Sequence, residues 1–281
     1  MSSSLFHYTS IDTLEKILTN KTIGFKSLAL VDDLDEAETA DLKKFGKFCY
    51  VSCWTKEEEE SIPMWKMYTP DMMGVRIELK EYPFKKYTLS PYQSENEKLI
   101  ETYINVEERD KKDLPYILTE YPLLTEIDYT EREELLYPKV KNENISYIKD
   151  TIIENGERKT ITKTSTSINY DIKYIGEFKR KCWSFQKEWR YKIFLAPYTL
   201  KELKNCKTSE DHIRLKQRLE NENYKPHEEI IFLDLDNEAI KEMKILIGPK
   251  ATQEHIKKVK QIAQISGIDE KNVKKSGLRI R

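Results

Sequence analysis

The segment 179–193 constrains the fold more than any other part of the chain, because its aromatic and polar side chains nearly alternate. Successive residues of a strand point to opposite faces of a sheet. The pattern therefore predicts a strand with one buried aromatic face and one polar face. The aromatic face consists of Trp183, Phe185, Trp189, Tyr191 and Ile193, and the polar face consists of Ser184, Gln186, Glu188 and Arg190.

The polar face of this predicted strand has two interpretations. It places an amide, a carboxylate and a guanidinium roughly 7 Å apart along the strand, beside aromatic side chains that can tune the ionisation of a carboxylate for chemistry. The same side chains can instead form the solvated outer face of an amphipathic strand, in which Glu188 pairs with Arg190 in water. Spacing alone favours the solvated face.

Length and composition predict a folded protein with a charged surface. The 281 residues are 38% hydrophobic and include 17 Tyr, 9 Phe and 4 Trp, which is enough for a substantial core. The 48 basic and 49 acidic side chains nearly cancel, but residues 241–281 carry eleven Lys or Arg against four acids. This basic segment could attract a nucleic-acid or protein acceptor, although a solvated helix face rich in Lys is the commoner explanation.

Several classes of protein are disfavoured by what the sequence lacks. No apolar run approaches the roughly 20 residues of a membrane-spanning helix, and the first residues lack the pattern of a signal peptide, so we expect a cytoplasmic protein without a membrane partner. The four cysteines lack zinc-ligand spacing, which predicts no metal site and reduced thiols. The eight glycines form neither a dinucleotide-binding nor a P-loop motif.

Periodicity along the chain predicts a single α+β domain over residues 1–281, with a helical and ribbon insertion at about 94–170. A helix capped by Thr9 or Ser10 should present Ile11, Leu14, Ile17 and Leu18 to the core. Further helices are predicted from Ser61, over 94–136 and 199–221, and from Thr252; strands are predicted over 5–8, 47–54, 74–79, 230–235 and 243–247, and a hairpin over 151–164.

Six short motifs follow one another along the chain. They are Leu5-Phe6-His7-Tyr8-Thr9-Ser10, Asp32-Asp33-Leu34-Asp35-Glu36, Met64-Trp65-x-x-Tyr68, Gly74-Val75, Lys187-Glu188-Trp189-Arg190 and Ile247-Gly248-Pro249. In this order they resemble the bacterial domain-of-unknown-function family 2971. The resemblance covers nearly the whole chain, from about Leu5 to Gly277. One departure concerns the acidic motif, where the family usually shows Asn-Asp-Pro-x-Glu.

A second resemblance supplies a candidate activity. His7 on the first strand, an aromatic residue on a later helix and Gln186-x-Glu188 are similar to the His-Tyr-Glu and Gln/Glu-x-Glu signatures of ADP-ribosyltransferases. Those enzymes bind NAD in the cleft of a split, mainly antiparallel sheet without a glycine-rich loop. The resemblance therefore implies an ADP-ribosyltransferase-like fold with flanking helices, and NAD as the substrate.

The resemblance also assigns roles to individual residues. Glu188 would accept a hydrogen bond from the ribose 2′-OH and stabilise the oxocarbenium cation that forms when nicotinamide leaves. Gln186 would orient the acceptor, and His7 would hold the adenosine ribose. Glu188 should then lie in a cleft within reach of His7 and of the helix that begins after Ser61. The other NAD-binding residues would be Tyr8, Thr9, Trp65 and Tyr68, with Arg76 or Arg190 offsetting the pyrophosphate charge.

Each of these residues also has a structural interpretation, in which His7 caps the first helix, Trp65 and Tyr68 belong to the core, and Arg190 only pairs with Glu188. Three functions therefore remain open. The first is an NAD-consuming transferase or glycohydrolase, of the kind found among bacterial toxins and anti-phage defence effectors. The second is a phosphotransferase or nuclease acting on nucleic acid. The third is a non-catalytic module that binds a protein or nucleic acid.

Overall fold

The computed structural model describes residues 4–89, 100–119, 122–154 and 157–281. These residues form a mixed α/β domain built on a mainly antiparallel sheet. Its helices are α1 Ile11–Asn20, α2 Ile62–Tyr68, α3 Val106–Lys111, α4 Glu133–Leu136, α5 Leu200–Asn205, α6 Ser209–Gln217, α7 Asn237–Glu242 and α8 Gln253–Ile265. Its strands are β1 Ser4–Thr9, β2 Thr22–Ser27, β3 Cys49–Thr55, β4 Val75–Lys80, β5 Tyr87–Leu89, β6 Ile100–Thr102, β7 Pro115–Ile117, β8 Leu123–Glu126, β9 Asp128–Thr130, β10 Lys141–Glu154, β11 Glu157–Tyr170, β12 Phe178–Arg180, β13 Glu188–Thr199, β14 Ile230–Asp234, β15 Lys244–Ile247 and β16 Val273–Lys275.

The described residues place ten strands in the main sheet. Seven follow the order β14-β2-β3-β1-β4-β15-β16, while β13 pairs with β3 and also with the short strands β7 and β8. Among the described strands of this sheet, only β15 and β16 pair in parallel. None of the helices in the described part of the chain is both long and apolar enough to cross a bilayer.

The sheet opens between β1 and β2. Strand β13 pairs along the whole of β3, so β1 and β2 must share the other edge of β3. There, β2 pairs through Lys26 with Val51, whereas β1 pairs only through Phe6 with Thr55. Within the described residues, the backbone of β3 between these two contacts has no strand partner on this edge. The two strands therefore diverge and leave a cleft in the sheet.

The first helix forms as its sequence predicts. Ser10 is the N-cap, and its hydroxyl accepts a hydrogen bond from the backbone N–H of Thr13. This bond satisfies one of the donors left free at a helix start. The apolar stripe of α1 is buried and consists of Ile11, Leu14, Ile17 and Leu18.

Helices α2 and α8 also begin at the predicted caps. Ser61 accepts a hydrogen bond from Met64 at the start of α2, and Thr252 accepts one from His255 at the start of α8. The helix α8 contacts α1, and both pack their apolar stripes into the large core cluster that covers one face of the sheet. The site residues described below lie mainly on the opposite face.

The prediction of a continuous strand over 179–193 is wrong. The strand β13 begins only at Glu188, because residues Lys181–Gln186 form a 3₁₀ helix and Lys187 adopts a left-handed conformation with φ of 42°. Trp183 is half-buried and Phe185 is 37% exposed, so neither lies on a buried strand face. The β13 residues in the core are instead Tyr191, Ile193 and Leu195.

The burial of β13 also differs from the amphipathic prediction. Tyr191 and Ile193 are buried as expected, but Trp189 is half-buried with the Lys56 ammonium 3.4 Å from the centre of its ring system. The face predicted as polar and solvated is buried as well, including Glu188 and Arg190. Both faces of β13 are covered because other segments pack on each side of the sheet at this strand.

Two helix predictions also need correction. The segment 94–136 is not mainly helical in its described part, where short strands surround α3 and α4; residues 94–99 and 120–121 lie outside the described residues. The strands β7 and β8 pair with β13, so long-range pairing overrides the local preference. The helix predicted over 199–221 is two helices, because Thr208 caps α6 separately.

The predicted hairpin is longer than the sequence indicated. Strands β10 and β11 pair in continuous antiparallel register from Lys141 with Tyr170 to Glu154 with Glu157. Residues 155–156, which fall inside the predicted hairpin, lie outside the described residues. Tyr170 anchors the ribbon base by stacking on Phe45, with 6.0 Å between ring centres.

Candidate functional site

A cavity of about 340 Å³ lies over the opening in the sheet. We call it the central cavity. Strands β1, β2, β3 and β13 supply its floor, α2 supplies one wall, and the acidic segment before β3 and the residues around β12 supply the rest. It is lined by Phe6, His7, Tyr8, Gly24, Lys26, Val31, Asp32, Glu36, Val51, Ser52, Cys53, Trp54, Met64, Tyr68, Lys179, Gln186, Glu188 and Arg190.

His7 occupies the point where β1 separates from β3. Its Nδ1 lies 2.8 Å from the carbonyl oxygen of Cys53, and since a carbonyl only accepts, Nδ1 carries the proton and donates. Burial lowers the pKa of His7, and the hydrogen bond to Cys53 only partly opposes this effect. The imidazole is therefore neutral near pH 7, and Nε2 is its acceptor atom. His7 does not cap α1, because Ser10 does.

Helix α2 directs two of its aromatic residues to different places. Tyr68 lines the central cavity, and its hydroxyl accepts a hydrogen bond from Nε2 of Gln186. Burial and the charge of Glu188 raise the pKa of Tyr68, so the phenol is protonated. Trp65 is fully buried, packs edge-on against Tyr8 with 4.9 Å between ring centres, and does not line this cavity. The core interpretation therefore holds for Trp65.

Four buried charged side chains meet at the β13 side of the cavity. Glu188 accepts from Arg190 through Oε1 and lies 2.8 Å from Lys179 Nζ through Oε2. Glu36 pairs with the same two cations, at 3.1 Å from Lys179 Nζ and in direct contact with Arg190. All four are between 0% and 8% exposed. Two acids thus balance two bases, which compensates much of the cost of burying each charge.

The Glu188 carboxylate is ionised at any physiological pH. Burial by itself would raise its pKa, but the charges of Arg190 and Lys179 outweigh burial and lower the pKa to about 2. The Cys53 thiol also helps to lower the pKa of this carboxylate. Burial and the charge of Glu188 raise the pKa of Cys53, so this thiol stays protonated and is a poor nucleophile.

Gln186 is positioned by the turn that interrupts the predicted strand. Its Oε1 accepts from Lys179 Nζ at 2.8 Å, and its Nε2 donates to the Tyr68 hydroxyl. The left-handed residue Lys187 separates Gln186 from Glu188, and its backbone carbonyl accepts from Thr55 at 2.8 Å. Gln186 and Glu188 therefore both reach the central cavity even though they do not share one strand.

The structure assembles some of the predicted site residues and separates others. His7, Tyr8, Tyr68, Gln186, Glu188 and Arg190 all line the central cavity. Thr9 is buried outside the cavity lining, and Trp65 belongs to the core. Arg76 also lies outside this lining, because its guanidinium stacks 4.5 Å from the centre of the Phe6 ring and donates to the carbonyl of Glu58 at 2.8 Å.

Sequence reasoning missed Glu36, Lys179, Lys26 and Cys53 as cavity residues. Glu36 lies in the acidic run 32–36, and Lys179 lies among other basic residues before β13. Each of these two charges can be buried only because it is paired with opposite charges, and Glu36 is far in sequence from its partners Lys179 and Arg190. The only available signal was the place of Glu36 in the acidic motif.

A second cavity of about 370 Å³, which we call the outer cavity, adjoins the central cavity. The two share Tyr8, Met64 and Gln186 in their linings. Three glutamates, Glu57, Glu59 and Glu60, line the outer cavity. Gln186 therefore lies at the boundary between the buried charges and a more open acidic space.

The basic segment 241–281 carries less free charge than its composition suggests. Lys258 lies 2.9 Å from both Asp12 and Glu15, and Lys260 lies 2.7 Å from Glu270. These ion pairs reduce the attraction of α8 for a polyanion. Within the described residues, no group of three or more His, Cys, Asp or Glu side chains is arranged to hold a metal ion.

Comparison of the chain with known proteins found no matching family model, curated protein or solved structure.

Proposed function

We propose that this protein cleaves NAD at the bond between nicotinamide and ribose, as an ADP-ribosyltransferase or an NAD glycohydrolase with an ADP-ribosyltransferase-like fold. One observation carries the proposal. The sheet opens between β1 and β2, and the cavity over the opening joins His7, Tyr68, Gln186 and Glu188. These are the residue types that the resemblance to ADP-ribosyltransferases assigned to this reaction.

Glu188 has the electrostatic properties that the chemistry requires. When the bond between C1′ and nitrogen breaks, its electron pair leaves with nicotinamide and the ribose becomes an oxocarbenium cation. A buried, ionised carboxylate stabilises this cation more than it stabilises neutral ribose. A carboxylate offers about four acceptor positions, so Glu188 can bind the 2′-OH while it remains paired with Lys179 and Arg190.

Lys179 and Arg190 act on the reaction through Glu188. Their ion pairs hold the carboxylate in one orientation, and preorganisation of this kind avoids reorganisation in the transition state. Glu36 balances their charges, so that Glu188 is not the only anion for two cations. We therefore assign Lys179, Arg190 and Glu36 as positioning residues rather than catalytic residues.

The remaining groups fit the ends of the substrate and the acceptor. Tyr68 presents a neutral aromatic ring in the cavity, which suits stacking on nicotinamide. His7 presents a neutral imidazole with Nε2 as an acceptor for a ribose hydroxyl. Gln186 lines both cavities, so an acceptor in the outer cavity would meet it before it reached C1′. Water in that position would give hydrolysis instead of transfer.

Release of nicotinamide from NAD by the purified protein, measured by chromatography, tests the proposal. We expect turnover by the wild type and a loss of about 100- to 1,000-fold in kcat for Glu188→Gln, the range for losing one preorganised electrostatic group. Glu242→Gln is the matched control, because Glu242 forms an exposed pair with Lys80. Equal kcat for wild type and Glu188→Gln would remove Glu188 from the mechanism. No release by the folded wild type would favour a binding module.

A further inference from the structure

Strand β14 carries an exposed aromatic residue beside the central cavity. Phe232 is 60% exposed, and its neighbour on the same face, Ile230, is 41% exposed. Phe232 pairs directly with Gly24 of β2, and Ile230 pairs with Lys26. Cross-strand partners share a face of the sheet, and both Gly24 and Lys26 line the central cavity. We call Phe232, Ile230 and Gly24 the shelf.

Gly24 allows the Phe232 ring to lie over β2. A Cβ atom at position 24 would meet the Phe232 ring at 3.4 Å and the Ile230 side chain at 3.2 Å. Both side chains therefore occupy the space that a side chain at position 24 would fill. The Phe232 side chain therefore lies close to Gly24 while 60% of the residue stays exposed.

The shelf continues the central cavity away from Glu188. Strands β13, β3, β2 and β14 are successive neighbours in the sheet. At about 4.8 Å between neighbouring strands, β13 and β14 lie roughly 14 Å apart. A ligand that has one ring at Glu188 and a second ring at Phe232 must therefore be elongated, as a dinucleotide is.

A lysine of the cavity lining lies beside the shelf, where it pairs across the strands with Ile230. Lys26 lines the cavity next to the shelf and is exposed. Its ammonium can offset the charge of a pyrophosphate. Either Arg76 or Arg190 was expected to take this role. Arg76 is held at Phe6 and Glu58 outside the cavity lining, and Arg190 is paired with Glu36 and Glu188.

We propose that the shelf is the adenine subsite of the NAD-cleaving site, with Phe232 as the stacking residue and Lys26 as the neighbouring cation for the pyrophosphate. This inference rests on the proposed function for the identity of the ligand. Stacking on an exposed aromatic side chain accommodates any base. Phe232 should therefore set the affinity for the adenosine half of the substrate and have no part in breaking the nicotinamide bond.

The test compares NAD with nicotinamide mononucleotide, which lacks the adenosine half. Phe232→Ala should raise KM for NAD by about 5- to 150-fold, which is 1 to 3 kcal/mol of stacking at 1.4 kcal/mol per tenfold change. The kcat for NAD and both constants for nicotinamide mononucleotide should stay unchanged, since a remote contact contributes equally to ground and transition states. Phe232→Trp should retain the wild-type KM.

Tyr147→Ala is the matched control, because Tyr147 is an aromatic residue that is 70% exposed on the ribbon β10–β11. It should change neither substrate's constants. A Phe232→Ala variant with wild-type Tm and an unchanged KM for NAD would refute the adenine subsite without affecting the proposed function. An equal rise in KM for both substrates would also refute the subsite, because the effect would then not depend on adenosine.

A binding measurement separates the two proposals. Calorimetry with ADP-ribose and with ribose 5-phosphate should show that Phe232→Ala weakens only the binding of ADP-ribose. If the wild type binds ADP-ribose in this Phe232-dependent way but releases no nicotinamide from NAD, the adenine subsite is supported and the proposed function is refuted. If wild type neither binds ADP-ribose nor cleaves NAD, both proposals fail.

Discussion

Substitution of Glu188 by Gln should destabilise the fold as well as slow the reaction. The structure shows this carboxylate buried between Lys179 and Arg190. The drop in its pKa from 4.5 to about 2 corresponds, at 1.36 kcal/mol per pKa unit, to about 3 kcal/mol of stability. Removing one partner of a buried ion pair costs a comparable amount, about 3 to 5 kcal/mol.

The direction of the pKa shift determines how the stabilisation by Glu188 changes with pH. The folded-state pKa of Glu188 lies below the unfolded value, so the unfolded chain binds the proton first as the pH falls. The stabilisation is therefore complete above about pH 4.5 and is lost between about pH 4.5 and 2. The difference in unfolding free energy between wild type and Glu188→Gln should be largest near neutral pH and should shrink through this window.

Urea unfolding followed by tryptophan fluorescence measures this difference at a series of pH values. Glu242→Gln controls for the loss of an exposed ion pair and should cost less than about 1 kcal/mol. A difference between wild type and Glu188→Gln that stayed below 1 kcal/mol at pH 7, or that did not change down to pH 3, would refute the buried ion-pair network. Activity of the variant must be measured well below its Tm, so that loss of turnover is not loss of fold.

His7→Gln should weaken the fall in stability below about pH 6.5, because burial lowers the pKa of His7 and the unfolded chain therefore takes up the proton first. The Gln amide keeps a donor for the Cys53 carbonyl. Urea unfolding at several pH values measures the fall in stability, with substitution of the exposed His212 by Gln as the control. An unchanged pH profile for His7→Gln would contradict the prediction. Tyr191→Ala should cost about 3 to 5 kcal/mol, whereas Trp189→Ala should cost less, because Tyr191 is fully buried and Trp189 is only half-buried. Equal losses in thermal unfolding would show that Trp189 is part of the closed core.

Local patterns in the sequence determined the elements at both ends of the chain. The cap at Ser10 and the spacing of Leu14 and Ile17 specify α1, and the cap at Thr252 specifies α8. These features were predictable because capping and apolar periodicity depend on residues within one or two turns. The apolar run at 47–54 likewise predicted a strand, and β3 is largely buried on both faces.

Only the tertiary structure decided the character of the candidate site. The alternation over 179–193 identified Gln186, Glu188 and Arg190 as a set, but it predicted a solvated face. They are buried instead, because Glu36 and Lys179 meet them across the fold and balance their charges. The cost of burying a charge depends on its partners. A local pattern cannot reveal those partners when Glu36 and Arg190 are more than a hundred residues apart in sequence.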